Sequence, residues 1–311
     1  MTDVSVVFVG AATLDAIAAV AHLPAPDERQ ITEDLSFAGG GPAATAAVAA
    51  VRLGLGDVSF VGAVGDDEEG ARILEGLRAE GVDVSAVERK PRQRSQSSVV
   101  LVDRASATRA ICTRSIAPLN FAPGSLAAER LRDATWVHAD HLGWPALAPL
   151  LDETGARRPR LSLDGGNPVP GLTHAALDLY VPTLDMLVQA YGNRESQALL
   201  DAALAEGARC VVATMGAEGA VAASADGTRC AVPAHPAEIV STLGAGDVFH
   251  GALLTAVVRG EPLSACLAYA AAAAALSCRA LDGRSAIPRH DEVVAALAAR
   301  PPVPSARTPA V

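Results

Sequence analysis

Val240-Ser241-Thr242-Leu243-Gly244-Ala245-Gly246-Asp247-Val248-Phe249-His250-Gly251-Ala252 joins a short polar turn to a long run of small and apolar residues. The run reads as an alanine-rich helix entered through Gly-Ala-Gly. Without bulky side chains, the first backbone N–H groups of such a helix stay open. Unpaired amides and the helix dipole together attract an anion. Asp247 would repel a phosphate bound there, yet it is placed to take a proton from a hydroxyl that attacks one. The same turn also serves as a plain helix start with a capping Asp.

A helix this apolar needs a sheet to cover it, and the chain upstream supplies one. Val4 to Gly10, Val58 to Val61, Thr135 to His138, Arg160 to Leu163, Met186 to Val188 and Cys210 to Thr214 are short apolar runs that read as strands. Helical stretches lie between them: Gly41 to Leu53, opened by Pro42, then Gly70 to Glu80 closing at Gly81, Leu147 to Thr154 and Glu195 to Glu206. Ala265 to Leu276 is too short to span a bilayer and reads as a core helix. The βαβα rhythm predicts an α/β fold, a doubly wound, mostly parallel sheet with helices on both faces. Two regions break the rhythm. Residues 16–38 are polar and extended, with prolines at 24 and 26, and residues 95–113 read as a hairpin turning at 103–107. Together they predict a small β-sheet lid over the strand ends. One domain is expected over 1–299, with a proline-rich disordered tail over 300–311.

Half of the 311 residues are hydrophobic but only 3% are aromatic, so alanine and valine carry the core. That suits helices packed tightly on a buried parallel sheet. A net charge of −10 argues against a nucleic-acid or anionic membrane surface, and leaves room for a local basic pocket. The five cysteines are scattered without a close pair, as expected of reduced thiols in a cytoplasmic protein.

Further constellations fall at the mouths of predicted elements. Ala38-Gly39-Gly40-Gly41-Pro42 allows a ligand to approach the backbone, or is simply a flexible turn before a helix. Asp15 lies a few residues beyond the first strand, where ligands of open α/β sheets sit. Its two oxygens suit vicinal sugar hydroxyls; as a loop residue it would instead be solvated or cap a short helix. Asp66-Asp67-Glu68-Glu69 reads as the acidic first turn of a helix rather than as a metal cluster. His138 and His141 could each hold a hydroxyl or be structural. Asp164 and Asn167 close another strand and could face sugar or nucleotide. Neither a dinucleotide fingerprint nor a Walker A loop is present.

GGGPAATAAVAAVRLG (39–54), VGAVGDDEEG (61–70), VVATMGAEGA (211–220), STLGAGDVFHGALLTA (241–256) and GRSAIP (283–288) stand in the order and spacing of the ribokinase-like (PfkB) carbohydrate kinases. The chain resembles that family to about Leu297, and within it looks most like the sulfofructose kinases. The resemblance implies ATP-dependent phosphorylation of a small sugar hydroxyl with Mg2+ and a monovalent cation, and a lid that often joins two copies into a homodimer. By the same resemblance Asp247 would be the base, and Gly244, Ala245 and Gly246 the anion hole. Asp15, Gly40 and Gly41 would hold sugar hydroxyls, Thr45 stands where the family has a sugar-contacting Asn, and Arg29 matches a basic position of the sulfofructose kinases; His141, at its strand end, is a further candidate to face the sugar. Thr214, Gly216 and Gly219 would line the nucleotide, and the loop 279–285, with Gly283, would cradle adenine. Ser241 stands where the family has an Asp tied to a cation, and Gln189-Ala190-Tyr191-Gly192 where many members carry Asn-x-x-Glu, so the metal ligands stay unassigned. The readings left open beside a sugar kinase are a weakly active binding regulator and a nucleoside kinase. The latter would want an aromatic base pocket, for which Phe37 and Phe121 are candidates.

Overall fold

A computed structural model of the chain describes residues 4–32, 34–106, 108–152 and 158–299. In chain order β1 (Ser5–Val9), β2 (Thr13–Val20) and β3 (Leu35–Gly40) precede α1 (Pro42–Arg52), β4 (Asp57–Val61), β5 (Ala63–Gly65) and α2 (Glu68–Ala79). There follow β6 (Glu88–Lys90), β7 (Ser97–Asp103), β8 (Arg109–Arg114), α3 (Leu126–Asp133), β9 (Trp136–Ala139), α4 (Trp144–Asp152) and β10 (Arg160–Gly165). The second half holds β11 (Leu179–Pro182), α5 (Leu184–Tyr191), α6 (Ser196–Ala205), β12 (Cys210–Thr214), β13 (Ala220–Ser224) and β14 (Arg229–Val232). The long helices α7 (Ala245–Val258) and α8 (Leu263–Ser277) and the shorter α9 (His290–Ala298) complete it.

The central sheet runs β14-β13-β12-β11-β10-β9-β1-β4. From β12 to β4 every pairing is parallel, and β13 and β14 add an antiparallel edge. Residues of α1, α2, α7 and α8 bury one face, and those of α3, α4, α5 and α6 the other, in two separate apolar clusters. This is the expected doubly wound α/β architecture. The alanine-rich composition shows its use at the α1–α7 crossing. Ala43, Ala44, Ala46, Ala47, Ala49 and Ala50 are fully buried. A Cβ on Gly251 would collide with the Ala46 carbonyl and come within 2.9 Å of the Ala49 methyl. Small side chains thus bring α7 close against α1.

A second sheet, β3-β2-β7-β8, stands apart from the first. Its inner face carries Ile17, Val100 and Val102, packed with Leu243 and Leu281 from loops near the α7 entry. Leu35, Phe37 and Val99 of the outer face are exposed. No helix among the described residues is long and apolar enough to cross a membrane. All five cysteines are free; Cys266 and Cys278 are buried and Cys112 is exposed.

Two expectations need correction. Met186 to Val188 is not a strand but the middle of α5; the strand is β11, just upstream. The Thr183 hydroxyl caps α5 by accepting from Met186 N, so the apolar run continues as a helix with Leu184, Leu187 and Val188 on its packed side. Asp15 is not in a loop either: it is the third residue of β2. The acidic run behaves as expected, since Asp67 caps α2 and Glu68 and Glu69 fill its first turn. The anticipated tail over 300–311 and the helix end at Thr154 lie outside the described residues.

Candidate active site

The carboxyl ends of the parallel strands converge where the order reverses, with β1 between β4 and β9, the place where open α/β sheets bind ligands. Asp140, immediately after β9, anchors this point. Its carboxylate accepts hydrogen bonds from the amides of Ala11 (2.7 Å), Ala43 (3.2 Å), Leu142 (2.9 Å) and Gly143 (2.9 Å). One buried side chain thereby ties the exit of β1, the start of α1 and the exit of β9 together. No local pattern sets it apart from its neighbour His141, which is half-buried.

At the mouth of the second sheet, Asp15 and Thr13 turn inward and are 7% and 4% exposed. Asp15 Oδ1 and Thr13 Oγ1 are buried without a hydrogen-bond partner on the protein. Burial raises the Asp15 carboxyl above its usual range, against the pull of the Thr13 and Ser98 hydroxyls and the Arg284 guanidinium. Gly40 lies against both side chains: a Cβ there would overlap Asp15 Oδ2 and come within 2.6 Å of Thr13 Oγ1. Gly41 caps α1 at φ +92° and presses on the Ala11 carbonyl. These orphaned polar atoms beside bare backbone make a small cradle for hydroxyl groups.

Gly244 opens α7 in the left-handed region, at φ +74°, with its α-carbon against Gly283. A Cβ on Gly244 would lie 2.8 Å from Gly283 Cα, so both positions need glycine for the close approach. Gly246 is open, with nothing within 4 Å of the place a Cβ would occupy. The α7 N-terminus faces a cavity of about 690 Å³. Ala245, Gly246, Thr214, Gly216 and Gly219 line it, together with Asp185, Glu218 and the small residues Ala271, Ala274 and Ala275 of α8. Arg109 reaches in from β8 and donates to Thr242 Oγ1 at 3.1 Å, so the second sheet touches the helix entry directly. No sequence pattern singled Arg109 out, because a lone Arg in a hairpin carries no signal.

Asp247 is half-buried, and its carboxyl forms no hydrogen bond or ion pair with a described residue. The protein crowding around it and the negative charge of Asp164 push its carboxyl up to about 7, while His250 and Arg284 pull it down. A carboxyl poised there is half ionised near neutrality, the state in which a base both accepts and releases a proton readily.

Arg284 links the two halves of the site. It is 8% exposed; Nε donates to Thr45 Oγ1 (3.1 Å) and Nη2 to the Gly40 carbonyl (2.6 Å). Both Asp15 and Asp247 feel its charge, and burial lowers its own pKa to about 10. The loop expected to cradle adenine holds Arg284 in place. Asp282 accepts from Arg284 N, Ser285 N and the Ser285 hydroxyl, and that turn aims Arg284 at the glycine turn while Gly283 backs Gly244. Residues 279–285 are absent from the cavity lining. Thr45 is 1% exposed and serves Arg284 rather than the cleft. His138 is structural, fully buried between Phe8 and His250 with Nδ1 2.9 Å from Ser162 Oγ. Arg29 is exposed on the connection from β2 to β3. Phe37 lies on the outer sheet face and Phe121 in the core, so neither forms a base pocket.

Known proteins share the family pattern and the fold. The pattern of the pfkB family carbohydrate kinases matches residues 3–141 and 172–289. The ribokinase of Lactococcus lactis subsp. lactis is 26% identical over 96% of this chain and 97% of its own length. The 2-dehydro-3-deoxygalactonokinase of Haloferax volcanii is 29% identical over 87% and 91%. Among solved structures, Arabidopsis thaliana ribokinase complexed with ribose and ATP superposes with a TM-score of 0.80 at 23% identity, covering 94% of this chain and 98% of that one. With the family pattern spread over both halves of the site, this chain belongs to the pfkB family of carbohydrate kinases.

Proposed function

We propose that the protein transfers the γ-phosphoryl group of ATP to a hydroxyl of a small sugar or sugar derivative, a ketose or a sulfofructose-like acceptor. The carrying observation is Asp247: an unpaired carboxyl, poised near neutrality, directly after an open helix N-terminus that faces a nucleotide-sized cavity. The Arabidopsis neighbour holds ribose and ATP on the same fold, which supports a sugar and ATP as the two ligands.

The sugar rests on Asp15 and the Gly40–Gly41 backbone, with His141 at the rim and Arg29 as the cation of the β2–β3 connection. The nucleotide lies along Thr214, Gly216 and Gly219. As the acceptor O–H bond breaks, its proton passes to Asp247; the oxygen bonds to the γ-phosphorus, and the bond to the β-phosphate oxygen breaks to release ADP. The amides around Gly244, Ala245 and Gly246 take up the charge on the transferring group. Mg2+ supplies charge neutralisation on the phosphates. Among the described residues no three His, Cys, Asp or Glu side chains converge as a metal site. Asp185 and Glu218 face the cavity singly, which suits an ion held through phosphate and water.

The second sheet acts as the lid that keeps water from the γ-phosphate. Its exposed Leu35, Phe37 and Val99 form an apolar strip on the outer face, and that face joins two copies into a homodimer. Placing Phe37 and Phe121 away from the cleft favours a sugar over a nucleoside as acceptor. An ADP-release screen over ketoses, ketose phosphates, sulfosugars and nucleosides tests the reading when run beside calorimetry with the same compounds. Turnover of a sugar supports it; binding without any turnover would make the protein a regulator.

A further inference from the structure

Beneath the candidate base lies a buried pair of charges that the reaction as described does not use. His250 follows Asp247 by one helical turn, and positions three apart on a helix share a face, with Cβ atoms about 5–6 Å apart. His250 Nε2 stands 3.3 Å from Asp164 Oδ1, with the two side chains 6% and 8% exposed. Asp164 also accepts from Gly166 N at 2.8 Å, which fixes its carboxylate at the end of β10. The other ring nitrogen, His250 Nδ1, is buried without a partner, so Asp164 alone anchors the imidazole. On its far side the ring packs on His138, with centroids 5.3 Å apart. Two adjacent buried imidazoles cannot both be cations, and the structure separates their roles: His138 bonds to Ser162, whereas His250 bonds to a carboxylate.

We propose that the Asp164–His250 ion pair is a positioning device for the base. His250 is held as an imidazolium by Asp164, and its charge favours the ionised form of the Asp247 carboxyl between turnovers. The inference rests on Asp247 being the base. The charged groups facing Asp247 are Asp164 at the end of β10, Asp140 beyond β9, Arg284 from the C-terminal loop and His250 on its own helix. Two of these are anions that oppose ionisation. Arg284 is divided between Asp15 and Asp247, so His250 is the cation whose loss leaves the anions unbalanced. The titration of the pair agrees: Asp164 raises the imidazole above its usual value, His250 holds Asp164 far below the carboxylate range, and burial with the nearby His250 charge lowers His138 to about 3.

The test is the pH dependence of kcat/KM for the acceptor. His250→Asn removes the cation and leaves Asp164 charged. An opposite charge at this range is worth about one pH unit or more, so the acid limb should move up by that amount. Below the limb, activity should fall about tenfold per unit, while the plateau at high pH changes little. In Asp164→Asn/His250→Asn both charges are gone, and the limb should return close to its native position. A purely structural role would lower Tm or the plateau and leave the limb in place, and an unmoved limb overturns the inference. Asp247→Asn separates the two claims. If it abolishes turnover while His250→Asn leaves the limb unmoved, the base stands and the ion pair does not. If Asp247→Asn retains turnover, the assignment of the base itself fails. Should His250→Asn not fold, the 13C shifts of the His250 ring in the native enzyme decide: a cation at pH 7 sustains the proposal, a neutral ring overturns it.

Discussion

Gly246→Ala should make the protein more stable and less active, a combination that a purely architectural glycine would not give. Gly246 is the second residue of α7, and a Cβ there meets no heavy atom within 4 Å, so the methyl enters without a clash. Replacing a helical Gly by Ala stabilises by about 0.5–1 kcal/mol. In a domain of this size that is a rise in Tm of about 1–3 °C. The empty space is nevertheless part of the wall of the 690 Å³ cavity at the helix N-terminus. Donors must approach a developing oxyanion to about 2.7–3.1 Å. A methyl in front of them displaces the phosphoryl group by about 1 Å, and misplacement of that size costs about 100-fold in rate. Scanning calorimetry reads the first quantity and ADP release at saturating substrates the second. A variant that is stabilised and keeps native kcat would refute the placement of the phosphoryl group at these amides.

The other positions differ in what they should break. Gly40→Ala puts a Cβ into Asp15 Oδ2 and against Thr13 Oγ1, so KM for the acceptor should rise at least about tenfold, a loss of about 1.4 kcal/mol, with KM for ATP nearly unchanged. Equal changes in both constants would contradict the separate sugar cradle. Asp140→Asn keeps the shape but replaces one accepting oxygen with an NH2 group facing amide donors. It should cost about 2–4 kcal/mol of stability by chemical denaturation, and a cost under about 0.5 kcal/mol would deny Asp140 its anchoring role. Val99→Glu places a charge on the apolar outer face of the second sheet and should shift sedimentation from dimer to monomer; an unchanged dimer would place the interface elsewhere.

Much of this molecule is readable from local pattern, and what is not readable depends on distance along the chain. The central strands announce themselves as short apolar runs between glycines, and Pro42 and Gly81 mark helix ends that the structure keeps. Met186 to Val188 misleads because three apolar residues fit a strand or a helix equally. The capping Thr183 was the signal that could have decided it. At the site, the Gly-Ala-Gly-Asp turn and the Gly40–Gly41 turn are legible because their chemistry is local backbone chemistry. Arg284 and Asp140 are not, since their partners lie far away in sequence: Arg284 meets Gly40 and Thr45, and Asp140 meets Ala11 and Ala43. Asp164 is legible as a strand-end acid, but its pairing with His250 depends on the fold bringing α7 to the end of β10.

The measurement closest to the heart of the account is single-turnover phosphoryl transfer by Asp247→Asn, with calorimetric affinities for sugar and nucleotide taken on the same preparation. The asparagine keeps the size of the carboxylate but cannot take the proton, and general-base contributions of this kind run to about 100–10,000-fold. The account predicts transfer slowed by at least about 1,000-fold with both affinities within about threefold of native. Transfer at near-native speed, with both ligands bound, would contradict it.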